Sequence, residues 1–275
     1  MHIYLNKTQL NRNSIAETWK NSTKTNKEAS LEKILLTTTR IKTFIGNQQL
    51  TNATGFFFIR EDHLYLTTSL HVLKDSATNH HPDRIEVELH TDPENLAQSI
   101  GFSILLYRNG TSIWRQGTDR SGSIDVAVIE MDMDALPESS LIVAFTTDNI
   151  LGPGLQPEVG SSLLVVGFPL GFHDTLHHLP VVRHAVIASS FGLRFQGHGY
   201  FLADGRTHRG TSGAPVVMRL SKEEEIPGQL PYRLLGIHSA RLDVGTRDHH
   251  IDEALGLNCT WYADILMTLT GPQVS

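Results

Sequence analysis

The chain has 275 residues, 40% of them hydrophobic and 19% charged, which is enough apolar material for a sizeable core and too little charge for a mainly disordered chain. Lys and Arg number 23 against 29 Asp and Glu, a formal charge of -6 that argues against a nucleic-acid partner, since phosphate binding wants clustered cations. Cys259 is the single cysteine, so no internal disulfide can staple the fold.

The N-terminus, Met1-His2-Ile3-Tyr4-Leu5-Asn6-Lys7, turns polar before a signal-peptide core develops, and no stretch approaches the roughly 18 apolar residues of a membrane span. A soluble protein is expected, cytoplasmic or exported by a route without a classical signal peptide. Residues 1–39 read as a polar, partly helical leader, with spaced apolar residues at Ile15, Trp19, Leu31, Ile34 and Leu35. From residue 40 to 271 the character changes to short runs rich in Phe, Val, Ile and Thr, separated by Gly, Asn, Asp and Pro. In chain order the predicted strands are 55–59, 64–68, 85–89, 104–107, 124–129, 141–145, 163–168, 181–188, 214–218 and 234–238. A terminal helix is expected near 261–269, and solvated loops at 74–84 and 221–229. Many short strands with turn signals between them favour a barrel or sandwich, and the lack of alternating long helices counts against a doubly wound sheet.

Gly210-Thr211-Ser212-Gly213-Ala214-Pro215 places a hydroxyl between glycines just before an apolar run. A nucleophilic Ser needs a tight turn that exposes Oγ and leaves backbone N–H groups free to face a developing oxyanion, and glycine permits such a path. By itself the pattern fits a structural turn better, since a Gly-rich turn before a strand is common.

Arg209-Gly210-Thr211-Ser212-Gly213-Ala214-Pro215-Val216-Val217 resembles the nucleophile motif of chymotrypsin-fold serine peptidases, in particular the HtrA-like and glutamyl-endopeptidase branches. Thr211 stands where Asn is usual and Ala214 where Gly or Ser is usual. Thr54-Gly55-Phe56-Phe57 with Leu66-Thr67-Thr68-Ser69-Leu70-His71-Val72 is similar to the segment that carries the base, with Ser69 and Leu70 departing from the usual small residues. Ile124-Asp125-Val126-Ala127-Val128-Ile129 is similar to the segment that carries the acid, and Val165-Val166-Gly167-Phe168-Pro169-Leu170-Gly171 to a connection in the second barrel. The resemblance spans roughly Phe44 to Leu269. It implies an all-β double antiparallel barrel of chymotrypsin type, with a first barrel at about 40–135, a second at about 150–260, the N-terminal leader and a C-terminal helix. It also implies a polypeptide substrate, no cofactor, His71 as base, Asp125 as its orienting acid, Ser212 as nucleophile, and the N–H groups of Gly210 and Ser212 as oxyanion hole.

Leu235-Gly236-Ile237-His238-Ser239-Ala240 resembles the segment with which glutamyl endopeptidases and viral 3C-like peptidases select Glu or Gln at P1. That implies substrate contacts at His238, Ser239 and Ala240 and at Arg206, His208 and Arg209, with Arg206, His208 and Arg241 adding positive charge nearby; His238 packing under the strand away from substrate is the alternative. Only about 40 residues follow Leu235, so no PDZ module is expected there.

Competing readings fare worse. An α/β-hydrolase wants Gly-x-Ser-x-Gly, and Ala214 occupies the last position. No Gly-Lys-Ser/Thr ending marks a phosphate loop. Among 15 His, the pairs His80-His81, His177-His178 and His249-His250 alternate across a strand and lack zinc-site spacing, so no metal is expected. Cys259 reads as a buried small hydrophobe. A peptidase scaffold serving only as a binding module, or a delivered peptidase specific for one protein, stays open.

Overall fold

A computed structural model describes residues 32–152, 154–241 and 256–272. Most of the expected leader lies outside these residues. Its described end is a single 3-10 turn, Lys33–Thr37, which buries Ile34 and Leu36 and runs directly into strand β1 (Thr38–Ile45). There follow β2 (Gln48–Arg60), β3 (His63–Thr68), the one-turn helix α1 (Leu70–Leu73), β4 (Arg84–His90) and β5 (Ser99–Leu105). A small hairpin of β6 (Tyr107–Arg108) and β7 (Thr111–Ser112) leads to β8 (Trp114–Asp119), β9 (Gly122–Glu130) and the short β10 (Phe145–Thr146). The second half contains β11 (Ser162–Gly167), β12 (Val181–Ile187), β13 (Tyr200–Asp204), β14 (Pro215–Arg219), β15 (Tyr232–Arg241), β16 (Leu257–Tyr262) and helix α2 (Ile265–Leu269).

The second half closes as a six-stranded barrel in the order β11-β12-β13-β16-β15-β14, all neighbours antiparallel. The first half is a sheet in the order β5-β4-β1-β2-β3-β9-β8, with β10 parallel to β2. Its end strands β5 and β8 form no ladder with each other among the described residues. Between them the chain turns inward at Leu106, whose carbonyl accepts from Ile113 N–H at 3.0 Å while its own N–H donates to Asp83 O at 2.8 Å. Leu106 and Ile113 thus spend backbone groups on this irregular link rather than on a ladder.

Strand periodicity explains the cores. Along β2, Phe56 and Phe58 pack with Val126, Phe145, Val166, Val217 and Ile237 in a seam between sheet and barrel. Phe57 and Ile59 point the other way, into the sheet's own core with Leu66, Val87 and Ile129. A third cluster, including Leu163, Val165, Phe201, Val216 and Leu235, fills the barrel. Both faces of β2 and β9 are therefore covered, which is why their sequences read as continuous apolar runs. Each fully buried Phe contributes about 2–3 kcal/mol of transfer free energy, so the seam is a large stabilising element.

Several boundaries differ from the sequence reading. Within 141–145 only Phe145 enters a strand, because Leu141 spends its N–H on an isolated bridge to His90 O at 2.7 Å. Residues 261 and 262 finish β16 rather than starting a helix, since Trp261 pairs with both Tyr200 and Ile237. The helix is left with Ile265–Leu269; Arg60 from the first sheet donates to the Met267 carbonyl within it and Arg115 to the Leu269 and Gly271 carbonyls at and beyond its end. β1, β7, β8, β13 and β16 lie outside the predicted strand list. The loop 221–229 is an exposed connection between β14 and β15, as its composition predicts. Cys259 is half-buried rather than buried, because it alternates with Asn258 and Thr260, whose side chains take the inner face of β16. Among the described residues no helix is long and apolar enough to cross a membrane.

Candidate active site

His71 rides on α1, where the chain leaves β3 at a buried Ser69. The Ser69 hydroxyl donates to His238 O at 3.1 Å, so the residue that departs from the resembled motif ties α1 to β15 in the other half. Asp125 projects from β9. Its Oδ2 lies 2.7 Å from His71 Nδ1 and its Oδ1 accepts the His71 backbone N–H at 2.8 Å. The Ser239 hydroxyl makes a further, short hydrogen bond to Oδ2. The carboxylate thus holds the ring by two atoms of one residue and is itself held from the barrel. Since Asp125 faces Nδ1 as an acceptor, the neutral imidazole carries its proton there and offers Nε2 as a base.

Burial works against a charged imidazole at His71, yet its hydrogen bond to Asp125 and the charges of Asp125 and Asp75 outweigh it and raise the pKa above 6.5.

Ser212 stands in the turn ahead of β14. Gly210 and Gly213 both have positive φ, 91° and 85°. A side chain at Gly210 would bring Cβ to 2.5 Å from Phe168 O, and one at Gly213 to 2.2 Å from Thr54 O. Both glycines are required by backbone conformation and by close approach. The Arg209 carbonyl accepts from Leu170 N–H at 2.5 Å and the Gly210 carbonyl from Thr54 Oγ1 at 2.7 Å. The N–H groups of Gly210 and Ser212 have no acceptor among the described residues. The Ser212 hydroxyl donates to Ser239 O at 3.0 Å and makes no hydrogen bond to His71.

His71, Arg209, Gly210 and Ser212 line one cleft of about 800 Å³, with Gln48–Ala53, Val72, Asp75, Leu170 and Gly171 among its other walls. Of the remaining residues singled out from sequence, Ser239 reaches the site through Asp125 and Ser212, while Arg206 and Ala240 are exposed and His208 is half-buried outside this cleft. His238 is buried in the barrel wall, its Nε2 3.2 Å from Thr207 Oγ1 and 3.3 Å from Asn258 Oδ1. Asn258 Nδ2 donates to the carbonyls of Ala203, Gly205 and Gly256, leaving Oδ1 as acceptor for Thr207 and His238. Nε2 of His238 is therefore a donor. Thr207, Asn258 and Thr54 carried no sequence assignment; only Thr54 lay within a quoted motif. Among the described residues no group of three His, Cys, Asp or Glu is placed to hold a metal ion.

Comparison with solved structures finds the serine endoprotease of Yersinia pestis at 15% identity and a TM-score of 0.50, covering 86% of this chain and 62% of that one. The chain thus spans less than two thirds of the Yersinia protein. A protease of M. tuberculosis, solved in its active form, matches at 13% identity and a TM-score of 0.47, covering 87% of this chain and 83% of that one. No curated protein matches significantly. At such identities the Yersinia likeness speaks for fold alone. The family profile described as the trypsin-like peptidase domain matches residues 53–222, a stretch that runs from β2 through Asp125 and past Ser212. Over more than half its length, this chain belongs to the trypsin-like peptidase domain family.

Proposed function

We propose that the protein is a serine endopeptidase in which Ser212 attacks the peptide carbonyl, His71 takes its proton and returns it to the leaving amine, and Asp125 fixes the imidazole tautomer. The observation that carries this reading is the 2.7 Å contact between His71 Nδ1 and Asp125 Oδ2, in a residue that shares its cleft with Ser212. The free N–H groups of Gly210 and Ser212 would receive the oxyanion, each worth about 3 kcal/mol in the transition state. The reaction is acyl transfer: the serine ester forms as the amine leaves, and water then hydrolyses it.

For the acyl side, the reading adds a preference for Glu or Gln at P1, served by His238. Its support is the buried array of Thr207, His238 and Asn258, in which His238 Nε2 already acts as a donor beside a hydroxyl. An oxygen-bearing P1 side chain would exchange into that array.

A second reading, a peptidase scaffold that binds without cutting, draws on the Ser212 hydroxyl donating to Ser239 O rather than to His71. A peptide-library digest with wild type beside Ser212→Ala separates the two. Ser212-dependent cleavage is expected, and uncut libraries and folded proteins with both would refute the peptidase reading.

A further inference from the structure

We propose that Thr54 is a positioning residue that locks the Gly210–Ser212 turn with its N–H groups facing the cleft; this rests on reading Ser212 as the nucleophile. Thr54 lies on β2 in the first sheet and is fully buried. Its hydroxyl donates to Gly210 O at 2.7 Å and accepts from Phe168 N–H at 3.1 Å. Its backbone N–H donates to Ser212 O at 3.0 Å, and its carbonyl accepts from Thr68 Oγ1 at 2.8 Å. Gly167 makes room, since a Cβ there would lie 2.8 Å from the Thr54 hydroxyl oxygen.

The consequence follows from peptide planarity. In a trans peptide the C=O and the following N–H point in opposite directions, so fixing one carbonyl fixes the next amide. Four consecutive planes run through the turn. Arg209 O is held by Leu170 N–H, which aims Gly210 N–H the other way. Gly210 O is held by the Thr54 hydroxyl, while Thr211 N–H bonds His208 O at 3.1 Å. Thr211 O is held by Ala214 N–H at 2.9 Å, which aims Ser212 N–H away from it. Ser212 O is held by Thr54 N–H, while Gly213 N–H bonds His238 O at 2.7 Å. Thr54 therefore pins the 210–211 and 212–213 planes, which alternate with the two planes that carry Gly210 N–H and Ser212 N–H and so hold those from either side. Its hydroxyl is the only side chain holding this turn's backbone among the described residues. The turn needs such a clamp because positive-φ glycine at Gly210 leaves the flanking peptide planes easy to rotate. Loss of the hydroxyl would leave both Gly210 O and Phe168 N–H buried without a partner, and rotation of the 210–211 plane would relieve the carbonyl at the cost of the Thr211–His208 bond.

The test is kinetic. Thr54→Val keeps the shape and removes the hydroxyl, and Thr54→Ser restores it. For an amide substrate, Thr54→Val is expected to lower kcat by about 10–100-fold, part of the 10²–10³ lost with a whole oxyanion donor, and to leave KM within about 2-fold. Affinity for a peptide boronate, whose tetrahedral adduct places an oxygen in the same position, should fall in parallel, while a non-cleavable peptide binds as before. Thr54→Ser should stay within about 3-fold of wild type, a rescue that simple loosening of the fold would not give. If Thr54→Val fails to fold, Thr54→Cys, with its weaker donor, must fall clearly below Thr54→Ser. A folded Thr54→Val with wild-type kcat and boronate affinity, or Cys and Ser variants of equal kcat, would overturn the inference alone. A wild-type protein without Ser212-dependent turnover would overturn the peptidase reading and this inference with it.

Discussion

Replacing Asp125 by Asn tests the proposed proton path most directly. The carboxylate accepts from His71 N–H at 2.8 Å and His71 Nδ1–H at 2.7 Å, and from the Ser239 hydroxyl. The side-chain amide can keep the first of these through its oxygen, but its NH2 group then faces Nδ1. The ring must present Nδ1 as an acceptor and carry its proton on Nε2, where it cannot take one from Ser212. A tautomer lock of this kind costs about 10⁴ in kcat, or about 5.5 kcal/mol. The pH profile supplies a second readout with a definite sign. Burial is the largest influence on His71 and opposes its charge, and Asp125 is what turns the net shift upward. The acid limb of wild-type activity should therefore lie above 6.5, and in Asp125→Asn it should move to lower pH even as the plateau collapses. Acylation by an activated ester, followed in a single turnover across about pH 5–9, measures both. An undiminished plateau, or a limb that stays put or moves up, would refute the reasoning. By linkage, the raised pKa also makes the His71–Asp125 pair stabilising below the ordinary His range, a contribution that fades as pH rises through the folded-state value.

Gly213→Ala should destabilise the fold by more than 3 kcal/mol, because the new Cβ meets backbone and a buried hydroxyl on β2 and β3 at 2.2–2.3 Å and sits at φ 85°; a melting temperature within a few degrees of wild type would contradict this. His238→Ala should erase preference for Glu or Gln at P1 in a peptide library while leaving reaction with a small ester within about 3-fold. Unchanged P1 selectivity would remove His238 from substrate recognition.

Much of this site was legible because its parts sit in compact local patterns. The Gly210–Gly213 turn and the apolar run around Asp125 each announce a backbone shape within a few residues, whereas the one-turn helix at His71 is too short to leave a periodic signal. Four of the six barrel strands were legible from periodicity, while β13 and β16 were not, and in the first sheet β8 escaped notice because its exposed face makes Arg115-Gln116-Gly117-Thr118 look like loop. Ser239 illustrates a different limit. Its place next to His238 in sequence suggested a shared duty, but adjacent strand residues point to opposite faces, so His238 enters the barrel and Ser239 turns to Asp125. Thr207 and Asn258, 51 positions apart, meet only because the barrel closes between them. No window of sequence contains that pairing, and the same holds for Thr54 and Gly210, separated by 156 positions.

The seam of Phe56, Phe58, Val126, Val166 and Val217 gives the molecule a mechanical character. Strand β2 is shared property: one of its faces belongs to the sheet's core, the other to the joint, and at Thr54 its backbone grips the turn of the opposite half. The proposed base and acid come from one side of this joint and the nucleophile from the other. Parting the two halves at this joint would dismantle the cleft without unfolding either of them, so a nick that lets them part should silence the site while leaving most of the strands intact.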